Sequence, residues 1–110
     1  MKIINCTPHA LNIYHFGGVL RLLPSGVLPR LAVTRENVTP VVGPWDEVLN
    51  VSRTTLGELT DLPDPQDGVI LVTSALVADA AKRPDVMSPG ELVRDASGVI
   101  IGCRGLCTYV

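Results

Sequence analysis

Val69-Ile70-Leu71-Val72 is followed, one residue later, by Ser74-Ala75-Leu76-Val77-Ala78-Asp79-Ala80-Ala81-Lys82-Arg83 and then by Pro84. An uninterrupted apolar run of this length marks a central strand, covered on both faces. Ser74 is a good N-cap, because its hydroxyl accepts from a free backbone N–H of the first helical turn. The alanine-rich run after it favours helix, and the two cations at its end suit the macrodipole. Pro84 stops it. The stretch therefore predicts a central strand feeding one helix at about residues 74–83. That helix is apolar nearly all round, interrupted mainly by Asp79, which predicts that it is well buried, against the rest of the chain or a second subunit.

Outward from this pair, the chain has the signature of strands. Lys2-Ile3-Ile4-Asn5 is a short strand that breaks at Thr7-Pro8. Leu11 to Phe16 alternates apolar and polar side chains, the two-residue period of a half-buried strand. Gly17-Gly18 supplies a tight turn into Val19-Leu20-Arg21-Leu22-Leu23. Pro24-Ser25-Gly26 turns the chain again, and Val27 to Thr34 is a further strand in which Pro29 marks an edge or a bulge. Residues 36–47, with Pro40, Gly43 and Pro44, show no period and are expected to be irregular. Val48 to Thr55 is extended, and residues 61–68 form an acidic, proline-rich loop. Beyond the helix, Ser88-Pro89-Gly90 is expected to turn. Glu91–Arg94 and Val99–Gly102 flank a hairpin loop ending at Gly98, and a last strand runs from Leu106 to Val110. The expected class is α+β: a small, mostly antiparallel β-barrel or sandwich with one helix, as a single domain over residues 1–110.

Composition narrows the function. Hydrophobic residues make up 46% of the 110 and charged residues 18%, which excludes a solvating, disordered chain. The formal net charge of −2 argues against a binder of duplex nucleic acid, whose affinity comes from a basic surface. Tyr14, Phe16, Trp45 and Tyr109 are the whole aromatic complement, too few to stack a single strand. No segment approaches the roughly 18 apolar residues of a membrane span. The first residues lack the pattern of a secretory signal, and three cysteines fit a reducing compartment. The cytoplasm of a host cell is the expected location.

Seven of the nine cations are arginine, whose planar fork holds phosphate or carboxylate in two places at once. Arg53 precedes the hydroxyls of Thr54 and Thr55. Arg104 lies between Gly102 and Gly105, where absent side chains would let a ligand reach the backbone. With Arg94, and with Thr7 and His9 in the Thr7-Pro8-His9 turn, these residues are the candidate ligand-binding set for a nucleotide-like or phosphorylated molecule. The plainer alternatives are arginines on a solvated face and a histidine bonded to its own turn. Cys6, His9, Cys103 and Cys107 would make a zinc site only if the first and last strands were neighbours, and no metal is expected there. Asp61, Asp64 and Asp67 are interrupted by prolines and do not make a calcium loop. Cys6 and His9 lack an orienting third group, no nucleotide-loop or nucleophile-elbow motif is present, and no cofactor is implied.

Several stretches resemble a family of small proteins of phages and other mobile elements. They are Asn5-Cys6-Thr7-Pro8-His9 with Leu11-Asn12-Ile13, Pro24-Ser25-Gly26, Arg53 to Glu58 and Leu62-Pro63-Asp64-Pro65. Two more are Ser88 to Asp95 and Ile101-Gly102-Cys103-Arg104-Gly105. They cover nearly the whole chain. Where the family usually carries leucine, this chain has Cys6. The resemblance implies a genomic neighbourhood and an accessory role, and three readings follow. The first is a small-molecule binding protein that sequesters a nucleotide-derived host signal and so blunts antiviral defence. The second is an inhibitor that contacts a host protein, such as a CRISPR or other defence component, through residues 61–67 and 36–47. The third is a small enzyme using His9. A homo-oligomer is compatible with each.

Overall fold

The computed structural model describes residues 1–110. Eight strands and one helix follow in the order β1 (Lys2–Asn5), β2 (Leu11–His15), β3 (Gly18–Leu22), β4 (Arg30–Val42), β5 (Val48–Thr60), β6 (Val69–Val72), α1 (Ala75–Ala81), β7 (Val86–Arg94) and β8 (Ile100–Cys107). Six strands form one sheet in the order β1-β6-β7-β8-β2-β3, while β4 and β5 pair only with each other. A bridge between Asn5 and Pro24 brings the two edges of the six-stranded sheet together, so it curls into a nearly closed barrel. The class is the one expected, α+β with a small barrel and one helix. Most of the ladder is antiparallel, and β1–β6, β6–β7 and β2–β8 are parallel.

The β6–α1 stretch folds as its sequence dictates. β6 lies between β1 and β7, and Val72 and Leu71 are fully buried. Ser74 caps α1, its hydroxyl accepting from the Val77 N–H at 3.3 Å. The helix stops two residues earlier than its cations suggested, at Ala81. Lys82 takes the left-handed C-cap position, with φ at 50°, and Arg83 lies beyond the last turn. Nor is the helix buried all round: Val77 and Ala78 face the core, whereas Leu76 is exposed. A compact core gathers Cys6, Leu71, Ala78 and Val86, with Ile4, Leu62, Val69, Ala81 and Tyr109 against them. No helix is long and apolar enough to cross a membrane.

Four local expectations are corrected. Residues 36–42, expected to be irregular, belong to β4, and only 43–47 turn. Pro40 is accommodated because it falls at the register shift between Val38 and Val41, where the ladder is interrupted. Ser88-Pro89-Gly90, expected to turn, runs straight through β7. After Met87 the strand has no β6 neighbour, so a missing N–H at Pro89 is tolerated as it is at an edge. The last strand ends at Cys107, and the residues beyond it pack instead of pairing. Tyr109 lies against the core with its hydroxyl 3.0 Å from Ser88 Oγ. The β2–β3 hairpin also turns one residue earlier than expected, because His15 pairs with Gly18.

Arg83 and Asp85 lock the turn between α1 and β7. Arg83 donates from Nε to Asp85 Oδ1 at 3.0 Å and from Nη2 to Oδ2 at 2.6 Å. Its Nη1 reaches the Pro63 carbonyl at 3.0 Å and so ties the acidic loop to the barrel. The Arg83 hydrogen bond holds the Asp85 carboxyl below its ordinary range, against the opposing effect of burial. A carboxyl depressed in the folded state adds stability above its unfolded value, and that stability is lost as pH falls through the folded value. Asp85→Asn is therefore expected to lower the unfolding free energy by about 2 kcal/mol at neutral pH, the scale of a charge-assisted bidentate pair. The difference from the parent should shrink below pH ~4. Urea midpoints of both proteins at pH 7 and pH 3 check this, and a gap that persists at pH 3 would contradict it.

Candidate functional site

One side chain builds the loop after β1. Asn5 is 2% exposed and uses its whole amide. Its Oδ1 accepts from the Thr7 N–H at 2.9 Å and from Thr7 Oγ1 at 2.6 Å. Its Nδ2 donates to the His9 carbonyl at 2.8 Å and to the Leu22 carbonyl at 3.1 Å. The backbone carbonyl of Asn5 accepts from the Ser25 N–H at 2.9 Å. This is the Asx-turn chemistry of a short amide that bonds backbone two residues on, extended here across the barrel seam.

The loop so fixed forms one wall of a cleft of about 330 Å³, completed by Pro29 and Arg30 at the root of β4 and by Thr73, Ser74 and Val77 around the start of α1. β1 and β6 are parallel, so their carboxyl ends share one edge of the sheet, and the cleft lies just outside them. Sheets with parallel strands commonly place ligands at this edge.

The hydrogen-bonding capacity of the cleft is lopsided. The hydroxyl protons of Thr7 and Thr73 are engaged by protein carbonyl or amide oxygens. Ser74 Oγ accepts from Val77, which leaves its own proton free to donate. Arg30 has no carboxylate partner, since the ion pairs of the chain are Arg53–Glu36, Lys82–Asp79 and Arg83–Asp85. The uncommitted groups are thus a guanidinium and a hydroxyl donor, which suit an anion. Cys6 also borders the cleft. Burial pushes its thiol above the ordinary range, and a hydrogen bond with Ser25 offsets this only in part. At neutral pH it stays protonated, and the thiol is a poor nucleophile.

The candidate residues from the sequence do not converge. Thr7 lines the cleft, and His9 follows it on the surface, with its carbonyl rather than its ring engaged. Arg53, Thr54 and Thr55 lie on β5, in the separate ribbon, where Arg53 pairs with Glu36 at 3.0 Å. Arg94 braces the β7–β8 loop through the Gly98 carbonyl at 2.9 Å. Arg104 stands on β8 opposite Glu91, in a different sheet from Arg53. Of the glycines around Arg104, Gly102 is used by the protein itself. A Cβ on Gly102 would meet the Asn12 carbonyl at 2.5 Å and the Tyr14 ring at 2.7 Å. Cys6 follows directly on β1, which β6 and β7 separate from Cys103 on β8, and no cluster of three or more His, Cys, Asp or Glu side chains is present. Arg30 and Ser74 are the residues sequence reasoning missed; Pro29 beside Arg30 signalled only a bulge, and Ser74 only a cap.

No family model matches the chain, and neither the curated proteins nor the solved structures contain a match to it.

Proposed function

We propose that this protein binds and sequesters a small anionic molecule of the nucleotide or phosphorylated class in the cleft formed by Thr7, Arg30 and Ser74. The observation that carries the reading is the pairing of an Arg30 without a carboxylate partner and a free Ser74 hydroxyl proton in a cleft of about 330 Å³. That volume lies within the usual span of about 300–1,000 Å³ for small-molecule sites. The protonated Cys6 thiol and the unengaged His9 ring favour holding a ligand over transforming it. The resemblance to small phage and mobile-element proteins suggests the setting, an accessory factor in the host cytoplasm that removes a nucleotide-derived signal of antiviral defence.

The test is native mass spectrometry of protein purified gently from cells in which such a defence is active, with analysis of whatever denaturation releases. A nucleotide-sized adduct with intact phosphates is expected. Arg30→Ala should weaken its retention about 10- to 100-fold, the worth of one or two charge-assisted hydrogen bonds. A clean apo mass from those cells would overturn the reading.

A further inference from the structure

The β4–β5 ribbon is too apolar and too isolated to stand in water alone. Its middle is polar, with Thr34 opposite Thr55, Arg35 opposite Thr54 and Glu36 opposite Arg53. Its outer end is apolar on paired positions, with Val38 opposite Val51, Val41 opposite Leu49 and Val42 opposite Val48. Val41, Val42, Val48 and Leu49 are each at least half exposed, and Trp45 at the turn is 83% exposed. The turn is itself ordered: Trp45 N–H donates to Glu47 Oε2 at 3.1 Å, and Gly43 N–H to the Glu47 carbonyl at 2.8 Å. An isolated two-stranded ribbon is at best marginally stable, and both of its strands are open edges.

The size of the uncovered surface says what kind of cover it needs. The chain measures 55 Å along its longest axis, and its radius of gyration is 17.8 Å, against about 13 Å for a compact domain of this length. It exposes 7680 Å², about 1,800 Å² more than a folded monomer of its mass. Two chains each covering that excess would bury about 3,600 Å², inside the span of roughly 2,000–5,000 Å² of obligate homodimers and well above a standard contact.

The same chain also carries a face that suits the ribbon's end. An apolar groove of about 310 Å³ runs along β2, β7 and β8, lined by Leu11, Leu92, Ile100 and Ile101 among others. Two cations without ion pairs stand at its margin. Arg21 bonds the groove residue Asn12 at 3.1 Å, and Arg94 is in register with Ile100. The ribbon's turn carries Asp46 and Glu47, which have no cation partner. Polarity and charge are complementary between two parts of one chain.

We propose that the outer end of the β4–β5 ribbon docks into the β2–β7–β8 groove of a second copy of this chain, so that the folded unit is an obligate homo-oligomer held by its arms. This is independent of the ligand proposed for the cleft. Light scattering of the purified full chain at micromolar concentration should give a multiple of 11.7 kDa. Trp45→Ser with Val48→Ser changes only exposed side chains and should raise the dissociation constant about 30-fold or more, as for a central aromatic anchor. Leu92→Glu in the groove should do the same. Hydrogen exchange of the unmodified protein is the second measurement. The amides of residues 38–51 should be protected at high concentration and exchange faster on dilution. A monomeric parent overturns the proposal and leaves the ribbon to a different protein. So does an oligomer indifferent to the tip variant, or exchange that ignores dilution. An oligomer broken by the tip variant but not by Leu92→Glu overturns the groove as its seat.

Discussion

Replacing Asn5 with leucine is expected to cost about 4 kcal/mol of unfolding free energy, a large share of the roughly 5–15 kcal/mol that holds a domain of this size. The side chain fits, so the loss is one of hydrogen bonding. Asn5 is 2% exposed, and its removal strands the Leu22 carbonyl and the Thr7 N–H and leaves the His9 carbonyl only the Thr7 hydroxyl. Each buried group left unpaired costs about 1–3 kcal/mol. The Leu22 contact also spans the barrel seam beside the Asn5–Pro24 bridge, so closure and cleft wall fail together. Asn5→Asp separates shape from chemistry. The carboxylate still accepts from Thr7 but points an oxygen where the amide donated to two carbonyls. Its folded value is then raised, so its stability contribution is complete below the unfolded value of about 3.9 and is lost as pH rises through the folded one. The aspartate variant should therefore be more stable at pH 4 than at pH 7. Urea midpoints decide both points; a loss below 1 kcal/mol in Asn5→Leu would mean that water replaces the amide at little cost.

Gly90→Ala is expected to cost about 3 kcal/mol, at the upper end of overpacking effects. Gly90 sits in β7 where Pro89 pairs with Leu106 and Glu91 with Arg104. A Cβ there would lie 2.1 Å from the Arg104 carbonyl oxygen and 3.0 Å from that of Gly105. Both are backbone atoms held by the ladder, so relief means separating β7 from β8. Gly105, across the same step, is the control. Its φ is +58°, but nothing lies within 4 Å of where its Cβ would be. Gly105→Ala should cost only about 1–2 kcal/mol, the strain of a left-handed residue. If thermal unfolding ranks Gly105→Ala as the more damaging, the close approach at Gly90 is not the constraint proposed.

The parts of this molecule that can be read from its sequence are those that need only local rules. The β6–α1 junction is legible because an apolar run, a capping serine and a terminating proline act within a few residues of each other. Residues 36–42 are not, because the charged Glu36, Asn37 and Pro40 have poor strand signatures, and the stretch is held by pairing with β5 across the ribbon. Pro89 misleads for a related reason: whether a proline ends a strand depends on whether the neighbouring strand extends that far, and β6 does not. The site shows the same limit more sharply. Thr7 is visible from its turn. The partners that make its cleft, Arg30 and Ser74, arrive from distant segments, and no spacing rule connects them. Arg53 and Arg104 share a residue type and a neighbourhood of hydroxyls or glycines, yet they end in different sheets. Of the glycines beside Arg104, Gly102 does mark a close approach, as its type suggests, but what approaches is the protein's own Asn12 carbonyl and Tyr14 ring, while Gly105 takes a left-handed backbone in open space.

The parallel pairing of β1 with β6 has a consequence for the making of the protein. Apart from the single Asn5–Pro24 bridge, Lys2 to Asn5 has no ladder partner until Val69 to Val72 has been synthesised, because its register runs from Lys2 with Val69 to Asn5 with Val72. At about 5–20 residues per second, the ribosome leaves the first strand waiting for roughly 3–13 s. The β2–β3 and β4–β5 hairpins close in that interval, since their strands are joined by short turns and form in microseconds once outside the tunnel. The nascent chain thus presents an apolar-tipped hairpin, marginally stable by itself, before it has a barrel. Chains growing side by side on one message would present those tips to each other first.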